Sequence, residues 1–328
     1  MDTPTRFDAA ETLSAWLGGR LPDQANAFRT SATNEIRNGV SMQRLAQLLA
    51  LASRHARAGV PLALTANELE PLAAAVPGWH PVQWSLLETL RVALLLAAPD
   101  IESDAFAAAF EYCFQFADHG ESCALYRALP LLPHGERFVW RAREGCRTNM
   151  RPLFEAVALD SPYPAQHFDD VAWRQLVIKA VFIDAPLWRI DGLDRRLSPE
   201  LARMALDFAD ERRSAGRAVS PQTWLCLGPY AGERGLRALR KELAEGDERG
   251  KQGALLALAR AGELMPERDW LRTTLGITSG ITSSAHSATA SSATSAFGNH
   301  TPFIERARED GFTQRAFRFL SPSHEDRP

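Results

Sequence analysis

The amino-acid sequence predicts an all-α protein: an irregular HEAT-like solenoid or bundle of antiparallel helix pairs, followed by a flexible linker and a tail. Three observations lead there. Apolar residues recur at three-to-four spacing, as in Leu45, Leu48, Leu49 and Ala52, or Leu87, Leu90 and Leu94. Helix caps and proline or glycine breaks divide the chain into many short segments. Sustained period-2 alternation and Val/Ile/Thr clusters, the marks of strands, are almost absent. No strict repeat period is found, so the expectation is an irregular stack and not a consensus array.

The elements follow in order. Asp8 with Glu11, and Thr65 with Glu68, have the cap-plus-three acidic spacing that opens a helix. Breaks fall at Pro77-Gly78, at 130–135, at 162–164 and at Gly228-Pro229. The most apolar window, LRVALLLAAP at 90–99, is flanked or interrupted by Glu88 and Arg91. It is far shorter than the ~20 residues a membrane span needs, and it reads as a buried core helix. Residues 171–183 form a helix apolar almost all round, expected at the centre of a bundle. Ser198-Pro199 and Ser220-Pro221 each put a cap residue before a proline suited to the first helical position. Residues 199–216 then carry an apolar arc of Leu201, Met204, Ala205, Phe208 and Ala209, and residues 234–263 read as one helical hairpin.

After Leu275 the composition shifts to Ser, Thr, Ala and Gly. Residues 1–275 are therefore expected to be one helical domain, 276–300 a low-complexity linker, and 301–328 a tail that docks, stays disordered or binds a partner.

Composition narrows the function. A net charge of −3 with 37 dispersed Lys and Arg gives no basic face for nucleic acid. Four cysteines form no CxxC and eight histidines form no HxH or HxxxH pair, so no metal or cofactor is expected. The opening residues MDTPTRFDAAETL lack the basic and apolar regions of a secretory leader. Unpaired thiols then suit a reducing cytoplasm. GxSxG, Walker A and GxGxxG loops are all missing.

The informative stretch is 147–224, where charges sit among apolar residues. Glu155 interrupts PLFEAVAL, and Lys179 lies in the apolar helix 171–183. A buried charge is costly unless paired, so Glu155 is expected to meet Lys179, Arg147 or Arg151. Such a pair either fixes helix register or marks a polar cavity for an anionic or zwitterionic ligand. Asp207 and Glu211, four apart on one helix edge, repel unless countered by Arg203 and Arg212. They could serve as acid and base or hold a metal, or form a salt-bridged flank. The turn DGLDRR at 191–196 either presents amides and arginine to an anion or caps a helix end.

The strings RTNMRPLFEAVAL, SPYPAQHF, AWRQLVIKAVF, GLDRRLSPELARM and DFADERRSAGR resemble the EboA domain, encoded in Ebo gene clusters of bacteria and algal plastids. The resemblance is dense over about 75 residues, is thin toward the N-terminus, and does not extend beyond Leu275. The sequence departs from the family pattern at Arg174, Ser198, Asp210 and Arg213, where the family has Asn, Asn, His and Trp. The last two departures argue against a role needing that His or that ring.

Matching positions include Arg147, Asn149, Glu155, Tyr163, Trp173, Lys179, Asp194, Asp207 and Glu211. The resemblance implies a helical protein of metabolite traffic with no catalytic activity to carry over. It also implies partners among Ebo-cluster proteins, such as a UbiA-type membrane prenyltransferase or a TatD-like hydrolase. The expected function is a cytoplasmic, non-catalytic protein binding a small metabolite or a partner enzyme. Its expected ligand-binding set is Arg147, Asn149, Glu155, Tyr163, Lys179, Asp194, Arg195, Asp207 and Glu211. Convergence of at least four of Arg147, Asn149, Glu155, Lys179, Asp194, Arg195 and Glu211 on one cavity would support ligand binding. The alternatives are an enzyme using Glu155 or the Asp207/Glu211 pair, and a purely structural scaffold.

Overall fold

A computed structural model describes residues 7–264 and 301–320, so the expected linker at 276–300 lies outside the described residues. The described residues form α-helices and short 3-10 turns, with one isolated bridge between Pro61 and Ser85 and no strand, in keeping with the all-α class. The chain divides into two compact units, Met1–Trp173 and Arg174–Pro328.

The first unit contains α1 (Ala9–Gly18), α2 (Asp23–Arg37), α3 (Met42–Leu51), the single turns α4 (Ala66–Leu69) and α5 (Leu72–Ala75), and α6 (Leu86–Leu96). It continues with α7 (Asp104–Phe116), α8 (His119–Ala128), α9 (Val139–Arg147), α10 (Arg151–Ala158) and α11 (Tyr163–His167). Helix α6 is its centre. Every residue of α6 except Glu88 is buried, and α1, α2, α3 and α8 all pack against it. That burial follows from the apolar run LRVALLL, and Ser85 with Glu88 closes the helix start as a reciprocal capping box. The Thr65/Glu68 box forms as expected, with the Thr65 amide donating to Glu68 Oε2 at 2.8 Å. Arg20 grips the same carboxylate at 2.7 Å, and these bonds hold Glu68 down at a pKa of about 2.

Helices α8, α9 and α10 approach closely because Gly145 sits where they meet. A Cβ there would lie 2.7 Å from the Tyr126 ring and 2.8 Å from a Val157 methyl. Any larger residue would have to push those helices apart.

Helix α12 (Asp170–Phe182) contains the point of division. The second unit then holds α13 (Pro199–Ser214), α14 (Gly232–Glu245), α15 (Glu248–Leu264) and α16 (Thr301–Glu309). The hairpin expected at 234–263 is α14 packed on α15. Ser198 caps α13, accepting from the Leu201 amide at 3.2 Å. Ser220-Pro221 opens only a 3-10 turn, Pro221–Cys226, whose Trp224, Leu225 and Cys226 are buried against α15. The buried face of α13 is Leu201, Ala202, Ala205, Leu206 and Ala209, rotated from the expected arc, while Met204 and Phe208 are half-buried. Beyond α16, the turn Gln314–Leu320 buries Phe317 and Leu320 in this unit and packs on α15 and on the turn Leu187–Arg189.

Candidate functional site

Three helices of the first unit line a partly open pocket of about 260 Å³. Ser41 caps α3 by accepting from the Arg44 amide, and Ser103 caps α7 by accepting from the Phe106 amide. Two residues then link α7 to α8, and Asp118 caps α8 while Glu121 returns a bond to the Asp118 amide at 3.2 Å. This box fixes the Glu121 carboxyl at the pocket wall. Leu49 and Ala46 of α3, Cys113 and Phe116 of α7 and Leu125 of α8 make the rest mostly apolar, with Tyr112 and two glutamines adding polar atoms.

Behind Glu121 lies Arg91 of α6, only 3% exposed. Its Nε donates to the Leu49 carbonyl at 3.1 Å, its Nη2 donates to Glu121 at 3.2 Å, and Asp118 is 4.0 Å away. Burial pushes the Glu121 carboxyl above its ordinary range, and the Asp118 charge adds to this. The bond from the Asp118 amide and the Arg91 charge oppose it. Cys113 is pushed up to about 12, by burial first and Glu121 second. A thiol held that firmly in its protonated form is no nucleophile at neutral pH. The arrangement can hold a molecule with an apolar body and one polar end. It offers no nucleophile–base pair.

None of the residues expected from the sequence lines this pocket. In the first unit, Arg147 is exposed and pairs with Glu144, three residues back, and Asn149 is exposed in the loop before α10. Glu155 is half-buried and pairs with Arg151 of its own helix at 2.7 Å, one of the three partners anticipated for it. Tyr163 is buried, and its hydroxyl donates to the Gly135 carbonyl at 2.5 Å. Burial drives its phenol far above the ordinary value, so Tyr163 does not titrate near neutrality.

In the second unit, Lys179 is half-buried on α12. Arg195 is exposed and pairs with Asp191 at 2.8 Å. Asp207 is countered by Arg203 at 2.6 Å and by Arg234 of α14 at 2.7 Å. Glu211 is exposed one turn further along α13. Arg212, expected as a counter-ion, donates instead to the Ala218 carbonyl at 3.0 Å. Asp194 has a structural role. It pairs with buried Arg260 of α15, accepts from the Gln314 amide at 2.9 Å, and returns its own amide to Gln314 Oε1 at 3.1 Å.

The pocket residues Tyr112, Phe116 and Glu121, and Arg91 behind them, were not anticipated from the sequence as a site. Two signals for them exist in it: an arginine inside the most apolar window, and the Asp118/Glu121 capping spacing. Among the described residues no group of three or more His, Cys, Asp or Glu could hold a metal ion, and no helix is long and apolar enough to cross a membrane.

The family model described as metabolite traffic protein EboA matches residues 9–228, more than half of the chain and all of the pocket. No curated protein and no solved structure matches.

Proposed function

The chain belongs to the EboA family, described as metabolite traffic proteins, and from that footing we propose that it is a non-catalytic small-metabolite-binding protein whose site is the α3–α7–α8 pocket. One observation carries this reading. The pocket is apolar on most of its wall, has one half-buried carboxyl, and lies within the matched region. A mostly apolar wall with a few well-placed polar groups is what a small-molecule site needs. The charges of 147–224 favour it by default, since Arg147, Glu155, Tyr163, Asp194, Arg195 and Asp207 are each satisfied by a partner in their own unit.

A carrier needs no acid–base pair, and the Asp207/Glu211 edge offers little as one, because Asp207 is exposed between two arginines. We place the protein in the cytoplasm, passing its cargo to other Ebo-cluster proteins. A second reading, partner binding, is favoured by α9. Trp140 is 61% exposed and lines a surface depression with Arg143 and Arg147. An exposed tryptophan beside arginines is a common kind of interface anchor.

The test is native mass spectrometry of the full chain recovered from its host, beside an Ala46→Trp variant. Ala46 is half-buried on the pocket wall, so an indole there fills the space without entering the core. The expected result is a small adduct on the wild type that is absent from the folded variant. An adduct retained by Ala46→Trp, or a wild type recovered without any, would overturn the pocket reading.

A further inference from the structure

We propose that the α3–α7–α8 pocket selects an organic ammonium, a compact apolar body ending in a protonated amine; this rests on the pocket reading above. Asp118 and Glu121 bring two carboxylates to one guanidinium, Arg91, so the group carries a net charge of −1 when ionised. The sign seen from inside the pocket is set by position. Glu121 lines the pocket, whereas Arg91 stands behind it with its Nε held by the Leu49 carbonyl. An incoming carboxylate or phosphate would meet Glu121 first. An ammonium would meet a carboxylate that burial disfavours as an ion, and would relieve that cost by pairing with it.

The rim points the same way. Tyr112 and Phe116 lie one turn apart on α7 with ring centroids 5.3 Å apart, and Phe116 is 69% exposed. Both rings line the pocket. Aromatic faces attract organic cations, by about 0.5–1 kcal/mol at exposed positions. A large ring left in solvent on a pocket rim is thereby given something to contact. Gln43 and Gln47 add neutral amide groups and no opposing charge.

Size restricts the class further. The 260 Å³ of the pocket is about nine water volumes at ~30 Å³ each. That suits one six-membered ring with a short amine arm.

The experiment is isothermal titration of the full chain with three probes of one shape: phenethylammonium, 2-phenylethanol and phenylacetate. The ammonium is expected to bind at least tenfold more tightly than the alcohol, and phenylacetate more weakly than either. Glu121→Gln is expected to bring the ammonium-to-alcohol ratio close to one. Because Glu121 also supports Arg91, Phe116→Ala provides a second variant at an exposed position. It should weaken ammonium binding several-fold while the circular dichroism stays unchanged.

Alcohol binding as tight as ammonium, a preference for phenylacetate, or no binding by any probe would each overturn the ammonium assignment. The pocket reading fails separately, on an adduct that survives Ala46→Trp. An alcohol that binds wild type but not Ala46→Trp would leave the pocket standing and remove only its charge preference.

Discussion

Arg91 in the first unit and Arg260 in the second are both 3% exposed, and each meets an aspartate or glutamate on another element. Their surroundings differ. The carboxylate of Arg91 is Glu121, whose other oxygen accepts from the Asp118 amide and which lines the pocket between α3, α7 and α8. The carboxylate of Arg260 is Asp194, whose remaining oxygen accepts from the Gln314 amide. Gln314 in turn donates to the carbonyls of Trp188 and Ile190 at 3.0 and 2.7 Å. One ion pair stops at a space and the other continues into more protein. A buried charge is therefore a poor indicator of a site by itself. What distinguishes a site is whether the partner of that charge looks onto unfilled volume.

Removing Arg91 should break the first arrangement with the largest effect. Arg91→Ala strands the Leu49 carbonyl, leaves Glu121 without its counter-ion and opens a cavity beside α6. Breaking a buried pair from one side costs about 3–5 kcal/mol, to be read from urea unfolding. Arg91→Met, which keeps the aliphatic stem, should cost clearly less, because it fills most of the cavity that alanine leaves beside α6. Equal losses in the two variants would mean that the lost ion pair and hydrogen bonds carry the cost and the lost volume contributes little.

Asp194→Ala tests the second arrangement. It takes the Asp194 carboxylate from buried Arg260 and removes the acceptor of the Gln314 amide, so the turn Gln314–Leu320 keeps only the bond from the residue-194 amide to Gln314 Oε1. The expected loss is about 2–3 kcal/mol, below the fully buried case because Asp194 is 31% exposed. Amide hydrogen exchange across 314–320 should rise. Ligand binding in the first unit should not change, and if it did, the separation drawn between the two arginines would be wrong.

The sequence made local structure legible and left assembly hidden. Helix starts at Ser198 and Thr65, the helix at 171–183 and the α14–α15 hairpin could be read because caps and periodicity act within a few residues. The rotated face of α13 could not. Arg213 lies on the same side as Ala202, Leu206 and Ala209 because Glu242 of α14 receives it at 2.7 Å and the Trp224 ring lies 5.3 Å beneath it. That also accommodates a charge where the family pattern has Trp. The bonds between Asp194 and Gln314 join residues 120 apart, beyond the reach of any periodicity. The pocket is hidden for the same reason. Helices α3, α7 and α8 each show an ordinary apolar face, and only their packing decides that the faces do not close. Arg91 was the visible trace of that site, and beside Glu155 and Lys179 it was the less conspicuous anomaly.

The smallest expected effect bears most directly on that choice. Glu155→Gln removes a carboxylate that is 29% exposed and bonded to an arginine 48% exposed on the same helix. Pairs of this kind contribute about 0.3–0.5 kcal/mol. Here the arginine precedes the glutamate, the weaker order for such a pair and its helix dipole. A change below about 0.5 kcal/mol in urea unfolding, with adduct retention unaltered, is therefore expected. A loss above about 2 kcal/mol would mean that Glu155 does more than meet Arg151, returning the signature segment to the centre of the site. An unchanged stability with a lost adduct would place the ligand on α10 and away from α7. Because Gln keeps the shape and the hydrogen-bonding oxygen of Glu, either outcome would belong to the charge alone.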